Sequence, residues 1–184
     1  MKTLKYLAAA ALALLAVSCN KEQVTPAGAG DEVTATFKVA LPDAGVGTKA
    51  TIADGTTVDQ LIFAVYGADK NEIKALRQED VVITNKVADV SVKLVKGEKY
   101  YFMFWGQKKG TGYYNTDDLK AVKINYEGMS NDETRDAFYA KKGPMVVSEA
   151  FSETITLHRP FAQINFGSSD KDAAAAAGLA VTES

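Results

Sequence analysis

The sequence has little of what a disulfide-stabilised, metal-binding or nucleic-acid-binding protein needs. Cys19 is its single cysteine, which excludes an internal disulfide and leaves the fold dependent on core packing. His158 is its single histidine, and a lone strand histidine is more often a packed or surface residue than a ligand. With 21 basic and 23 acidic side chains, the chain has no basic cluster for nucleic acid. After the N-terminal segment, no apolar run approaches the roughly 20 residues that span a bilayer.

Motifs for catalysis and cofactor binding are also missing. Residues 106–112, Gly-Gln-Lys-Lys-Gly-Thr-Gly, are glycine-rich, but a phosphate loop ends in Gly-Lys-Ser/Thr and opens a helix. The acidic residues at 117–118 and 132–136 lack the alternate spacing and central glycine of a calcium loop. No general acid–base pair is specified. We therefore expect no enzyme activity, no catalytic residue, no cofactor and no metal site.

The N-terminus has the order of a secretory signal. Lys2 and Lys5 precede an apolar run over residues 7–17, and Ser18-Cys19 follows it. A cysteine directly after the small residues resembles a lipoprotein signal, in which cleavage falls between Ser18 and Cys19 and Cys19 is acylated, for example with palmitate. The alternatives are an ordinary signal peptide or a transmembrane anchor, and the run is short for the latter.

The remaining chain is long enough for one domain and short for two. Residues 19–30 are polar and rich in Ala, Gly and Pro, which predicts a flexible tether. We expect one domain over residues 31–184, which could lack a terminal strand because the alternation that starts after Gly178 ends at Ser184.

The periodicity of the domain predicts short strands. Residues 33–41 alternate between an apolar and a polar face, residues 61–66 are apolar on both faces, and residues 100–105 place aromatic side chains on both sides. Further strands are predicted at 72–76, 81–83, 90–94, 121–126, 144–147, 152–157 and 161–166. Turn signals between them favour a mainly β protein, a β-sandwich of about seven strands.

Two short connecting helices are expected. Ser130 and Glu133 fit a capping box for a helix ending at Phe138 or Tyr139. Ser169 and Asp172 would cap a second helix over residues 170–177, stopped by Gly178.

Two candidate functional positions lie in predicted loops. Lys49 and Ala50 follow the first strand in a glycine-containing loop, a favourable context for cleavage by a trypsin-like protease. Tyr113 and Tyr114 form an exposed pair that could stack on a sugar or pack on a partner, although a surface tyrosine pair needs no function.

Together these segments resemble fimbrillin-type lipoproteins, the subunits and accessory proteins of type V pili, and specifically their N-terminal domain. The resemblance covers most of residues 1–166. It is carried by the lipoprotein signal, the alternating strand 33–41, Thr48-Lys49-Ala50, Asp54-Gly-Thr-Thr-Val-Asp-Gln-Leu-Ile-Phe-Ala-Val-Tyr66 and Leu157-His-Arg-Pro-Phe-Ala-Gln-Ile-Asn-Phe166.

The resemblance implies a transthyretin-like β-sandwich, export as a lipoprotein to the outer membrane and cell surface, and assembly into a fimbrium. A maturation protease would cut at Lys49-Ala50 and release the first strand, and another pilus subunit would donate a replacement strand. Family members often have arginine at this cut, and this chain has lysine. It could therefore keep its first strand and remain a permanently anchored surface lipoprotein that binds glycan or host protein. Full-length pilins also continue into a second domain and a C-terminal donor strand, so this chain could be an anchor or accessory subunit, a single-domain relative or a truncated product.

Overall fold

The structure is a computed structural model that describes residues 30–42, 55–126 and 132–161. These residues form a mainly β protein. The strands are β1 Glu32–Ala40, β2 Gln60–Tyr66, β3 Gln78–Val82, β4 Val87–Val95, β5 Lys99–Gln107, β6 Tyr114–Asn115, β7 Lys123–Ile124, β8 Ala137–Val146 and β9 Phe151–Thr156. Two single 3₁₀ turns, Lys74–Leu76 and Glu133–Arg135, lie between them.

The strands form three sheets. A three-stranded sheet has the order β4-β1-β9, in which β1 is antiparallel to β4 and parallel to β9. A four-stranded antiparallel sheet has the order β3-β2-β5-β8. The third sheet is the two-residue ladder β6-β7.

The first two sheets pack face to face over one hydrophobic core. Alternate residues of β1 and β4 point into it from the three-stranded sheet, and alternate residues of β2 and β5 meet them from the other side. This is the arrangement that period-2 patterning produces when each sheet has one face to bury. The strand pattern predicted for residues 33–41 is confirmed, since Ala35, Phe37, Val39 and Leu41 are all buried in this core.

The four-stranded sheet has a second, smaller apolar cluster on its outer face. Ile62, Ala64 and Tyr66 of β2 lie there with Trp105 of β5, and Leu119 covers them. The two-sided pattern of residues 61–66 and 100–105 is confirmed: Phe102 and Phe104 belong to the main core, and Trp105 to the outer cluster.

Two predicted strands and the predicted number of strands differ from the structure. Residues 72–76 do not form a full hairpin strand, because Ile73 and Leu76 both pack on the core, and their spacing of three suits the 3₁₀ turn that forms. Residues 121–126 pair only at Lys123–Ile124. The described strands also number nine rather than about seven.

The first predicted helix is replaced by a 3₁₀ turn and a strand. Ala137 belongs to the outer cluster and Phe138 to the main core, so consecutive residues face opposite sides of the sheet, as only a strand allows. Asp132 caps this turn: its carboxylate accepts the Thr134 N–H at 2.9 Å.

Several predictions lie outside the described residues. These are the signal and tether with Ser18 and Cys19, the cleavage positions Lys49 and Ala50, the cap at Ser130, the strand beyond Phe161 and the second helix. Within the described ranges, no helix has both the length and the apolar character needed to cross a membrane.

Candidate functional site: the first strand

β1 is the middle strand of its sheet and therefore hydrogen-bonds on both edges. It pairs with β4 over its full length, from Glu32 opposite Val95 to Ala40 opposite Val87. On the other edge it pairs with β9, from Ala35 beside Phe151 to Ala40 beside Thr156. Loss of β1 would leave the facing edges of β4 and β9 without their ladder partners.

Phe37 places β1 at the centre of the core. Its ring lies 4.9 Å from Phe102, 5.3 Å from Phe104, 5.6 Å from Phe151 and 5.8 Å from Phe63, measured between centroids. The side chain is fully buried. Full burial of one such side chain contributes roughly 1.5–3 kcal/mol, so Phe37 is the largest apolar contribution of β1.

The ends of β1 are fixed by backbone hydrogen bonds beyond the ladders. The Lys96 N–H donates to the Asp31 carbonyl at 2.8 Å, and the Leu41 N–H donates to the Lys86 carbonyl at 2.9 Å. Pro42 follows directly. A strand replacing β1 would therefore need an apolar side chain at alternate positions and about nine residues of extended backbone.

The tyrosine pair is half-buried rather than exposed. The Tyr113 hydroxyl donates to Asp132 at 2.7 Å, and the Arg135 guanidinium lies 4.1 Å from the Tyr113 ring centre. The Tyr114 hydroxyl donates to the Arg135 carbonyl, and its ring packs against Trp105 and Phe161. Tyr113 thus joins residues 113–126 to the 3₁₀ turn before β8, and Tyr114 packs them onto the sheet at Trp105. Burial raises the pKa of the Tyr114 hydroxyl.

His158 lies on the surface at an irregular edge. It exchanges two backbone hydrogen bonds of 2.8 Å with Tyr139, so the chain leaving β9 crosses to the free edge of β8. No group of three or more potential metal-ligating side chains occurs among the residues that the structure describes.

The glycine-rich loop after β5 is occupied by structural ion pairs. Lys108 pairs with Asp59, and Lys109 pairs with Asp80 at 2.8 Å. Both lysines thus bind carboxylates of the chain itself, as expected for a β–β connection and not for a phosphate cradle.

One feature of the molecule has no counterpart among the sequence predictions. Lys70, Lys120 and Lys141 converge on the outer face of the four-stranded sheet, beside Tyr101 and Met103. Their separation along the chain hides this convergence. The sequence indicates only that Tyr101, Met103 and Trp105 point to the outer face of the sheet. This pattern predicts that another segment of the chain covers them, but it does not predict which segment.

The fold defines a mainly β protein built from two packed sheets. The chain belongs to the family of unknown function DUF6562, whose model matches residues 26–182. Among solved structures, the chain is similar to a fimbrial assembly protein from Parabacteroides distasonis, with 12% sequence identity and a TM-score of 0.37. That match covers 70% of this chain and 54% of the other, so it spans about half of the fimbrial assembly protein. No curated protein matches the chain.

Proposed function

We propose that this chain is a fimbrial structural or accessory subunit of the type V pilus class, which acts by assembly rather than by catalysis. What supports the proposal is the fimbrillin-like order of segments together with the position of β1. β1 lies near the start of the domain, in the middle of its sheet, and a candidate cleavage loop follows it. Such a strand is suited to exchange for another strand with the same alternation. The proposed topology is transthyretin-like.

The proposed sequence of events begins with export as a lipoprotein acylated on Cys19. A maturation protease at the outer membrane cuts after Lys49, and β1 leaves together with the lipid. Edges of β4 and β9 then flank a groove floored by Phe63, Phe102 and Phe104. A donor strand from a neighbouring subunit restores both ladders and refills the position of Phe37. The partners are other pilus subunits.

The observation that carries this proposal is the double pairing of β1 around the buried Phe37. Backbone ladders supply affinity that depends little on sequence, whereas the Phe37 position fixes the register, because a slip of one residue would turn every buried side chain to solvent. Exchange is therefore possible only for a strand with matching alternation.

The test starts from the uncleaved protein, residues 19–184, treated briefly with trypsin. We expect early cleavage after Lys49, with the N-terminal fragment still bound. A labelled peptide of residues 31–42 in excess should then replace that fragment, as followed by mass spectrometry and size-exclusion chromatography. Protection at Lys49 with cleavage elsewhere, or failure of the peptide to enter the nicked protein, would contradict the proposal.

A matched peptide isolates the register effect. The same peptide carrying Phe37→Asp keeps the backbone, length and most of the alternation but places a charge in the core, which is strongly unfavourable. We expect no incorporation of it. A peptide carrying Thr34→Asp, changed on the exposed face opposite Lys93, should enter as the unmodified peptide does.

A second candidate function follows from the presence of lysine, rather than arginine, at the candidate cleavage position 49. An arginine-specific protease would leave Lys49 intact, so the chain would keep both β1 and its lipid and serve as a surface lipoprotein for glycan or host protein. Tyr113 and Tyr114 are the candidate binding residues for this function. A glycan array without signal above background, in the wild type and in the Tyr113→Ala/Tyr114→Ala variant alike, would count against it. Cleavage of a Lys49→Arg variant, but not of the wild type, by an arginine-specific protease would favour this second function.

A further inference from the structure

The outer face of the four-stranded sheet carries a groove along β5. Strand register places Ala64, Met103 and Lys141 in one row across β2, β5 and β8, and Tyr66 beside Tyr101 in the next. Residues 113–126 cover the Trp105 end of this face through Leu119 and Val122. The end at Tyr101 and Met103 remains open.

Two adjoining cavities form this outer groove. The larger has a volume of about 320 Å³ and is lined by Tyr66, Lys70, Tyr101, Met103, Lys120 and Lys141. The smaller has a volume of about 190 Å³, shares Met103 and continues over Trp105 to Tyr139 and Phe161. Tyr139 and Phe161 are 42% and 43% exposed, so this end of the groove has accessible apolar surface.

The charge of the larger cavity is positive. None of Lys70, Lys120 and Lys141 forms an ion pair with another residue of the described ranges. The Lys120 ammonium lies 5.1 Å from the centre of the Tyr66 ring and donates to the Lys70 carbonyl at 3.1 Å, which holds it at the rim.

Two carboxylates on the same side are engaged with the chain itself. Asp118 accepts from the Tyr66 hydroxyl at 3.3 Å and from the Lys120 N–H at 2.9 Å. Asp69 accepts from the Asn71 amide groups. Hydrogen bonds from Asn71 and, to a smaller extent, the charge of Lys120 lower the pKa of Asp69. The three ammonium groups exceed the two carboxylates by one positive charge, and a cleft with such walls concentrates anions.

We propose that the outer groove binds an acidic carbohydrate, with its carboxylate between Lys141 and the Lys70–Lys120 rim and a sugar ring packed on Tyr101. A sugar ring has an apolar C–H face and a polar rim, which suits an aromatic wall edged by ammonium donors. The two cavities together offer room for an oligosaccharide that runs from Tyr101 toward Phe161. The groove lies on the sheet opposite β1, so the proposal does not depend on strand exchange.

The backbone of the groove favours a saccharide over an acidic peptide. An extended peptide gains affinity by pairing with a free strand edge. β5 pairs with β2 on one side and β8 on the other, so the central strand of the groove floor offers no such edge. A saccharide needs only the side chains that are present.

The experiment uses the uncleaved protein, residues 19–184, and tetragalacturonate as probe, with binding measured by calorimetry. We expect saturable binding that weakens as salt is added. The fully methyl-esterified tetramer has the same rings without charge and should bind at least about tenfold more weakly. Hexaglutamate supplies the charge without the rings and should also bind more weakly than tetragalacturonate.

Variants locate the site. Lys141→Gln and Lys120→Gln should each weaken binding about tenfold, and Tyr101→Leu should weaken binding of the acid and of any bound ester alike. Lys93→Gln, an exposed lysine on β4, removes the same charge from the other sheet and should leave affinity unchanged. Circular dichroism confirms that each variant is folded. The proposal is overturned by absence of tetragalacturonate binding, by equal binding of the ester or of hexaglutamate, or by equal losses in the Lys93 and Lys141 variants.

Discussion

The ring of Phe37 in β1 lies 4.9 Å from the ring of Phe102 in β5, and the two planes are inclined by 53°. The pair joins the three-stranded sheet to the four-stranded sheet at the centre of the core. Tilted aromatic pairs of this kind contribute about 0.5–1.5 kcal/mol beyond the area they bury. The strand that we propose to be exchanged is therefore also the strand that couples the two layers.

Phe37→Ala should lower the free energy of unfolding by about 3–5 kcal/mol, because it opens a cavity among four aromatic rings. Urea denaturation followed by Trp105 fluorescence measures the loss. Lys38→Ala changes the exposed neighbour on the same strand and should shift stability by less than about 0.5 kcal/mol. Similar stabilities for the two variants would show that β1 is not integral to the core.

Arg77 should be required for the attachment of residues 114–126 to the sheet. Its side chain is 8% exposed, and it donates to Glu72 at 2.9 Å and to the Thr116 carbonyl at 2.6 Å. Arg77→Met leaves Glu72, also 8% exposed, with Lys74 as its remaining partner. We expect a loss of about 3 kcal/mol, with faster amide hydrogen exchange at Tyr114 and Ile124.

The double variant Arg77→Met/Glu72→Gln tests the cause of that loss. Removing the carboxylate removes a buried charge that keeps only the exposed Lys74 as its partner, so stability should partly recover relative to Arg77→Met alone. If the double variant is less stable than the single one, the ion pair is not the source of the effect.

Side-chain alternation was readable from the sequence, whereas strand neighbours were not. The pattern of Ala35, Phe37 and Val39 states which face is buried, because the period of a strand is two. It does not state that β9, more than 110 residues later, lies parallel beside β1. The choice of neighbour depends on how both sheets share one core.

Local sequence predicts neither the outer groove nor the replacement of the first predicted helix, because both depend on tertiary packing. Lys70, Lys120 and Lys141 meet only because a cover segment and two strands converge, which no local pattern records. The acidic and hydroxyl residues before Ala137 signal a helix start, but burying Ala137 and Phe138 on opposite faces outweighs that preference.

Gly143 should tolerate no side chain. Its φ is +102°, and a Cβ would lie 2.7 Å from the Tyr100 carbonyl oxygen, which is backbone and cannot move away. Gly143→Ala should lower the free energy of unfolding by about 2 kcal/mol or more. Gly97 has a φ of +88° with no atom within 4 Å of a Cβ, so Gly97→Ala carries the conformational cost alone. The midpoints of thermal unfolding of the two variants are compared. Equal decreases would exclude a contribution from the clash between a Cβ at position 143 and the Tyr100 carbonyl.

Asp59 should make folding stability depend on acid pH. Burial by itself would raise the pKa of this carboxyl, but hydrogen bonds from the Lys108 ammonium and the Lys109 N–H, with the charge of Lys108, outweigh it and hold the pKa below its ordinary value. A depressed folded-state pKa stabilises the fold above the unfolded value, near 3.9, and that stabilisation is lost as pH falls through the folded value.

The destabilisation caused by Asp59→Asn should therefore be present at about pH 7 and shrink toward zero below about pH 3. Because the carboxylate is 44% exposed, solvent and salt screen the pair, and the effect at neutral pH should itself decrease in high salt. Urea midpoints of wild type and variant across this range measure the difference, with Glu149→Gln, an exposed loop carboxylate, as control. A difference that stays constant from neutral to acid pH would mean that the charge of Asp59 is not the source of the effect.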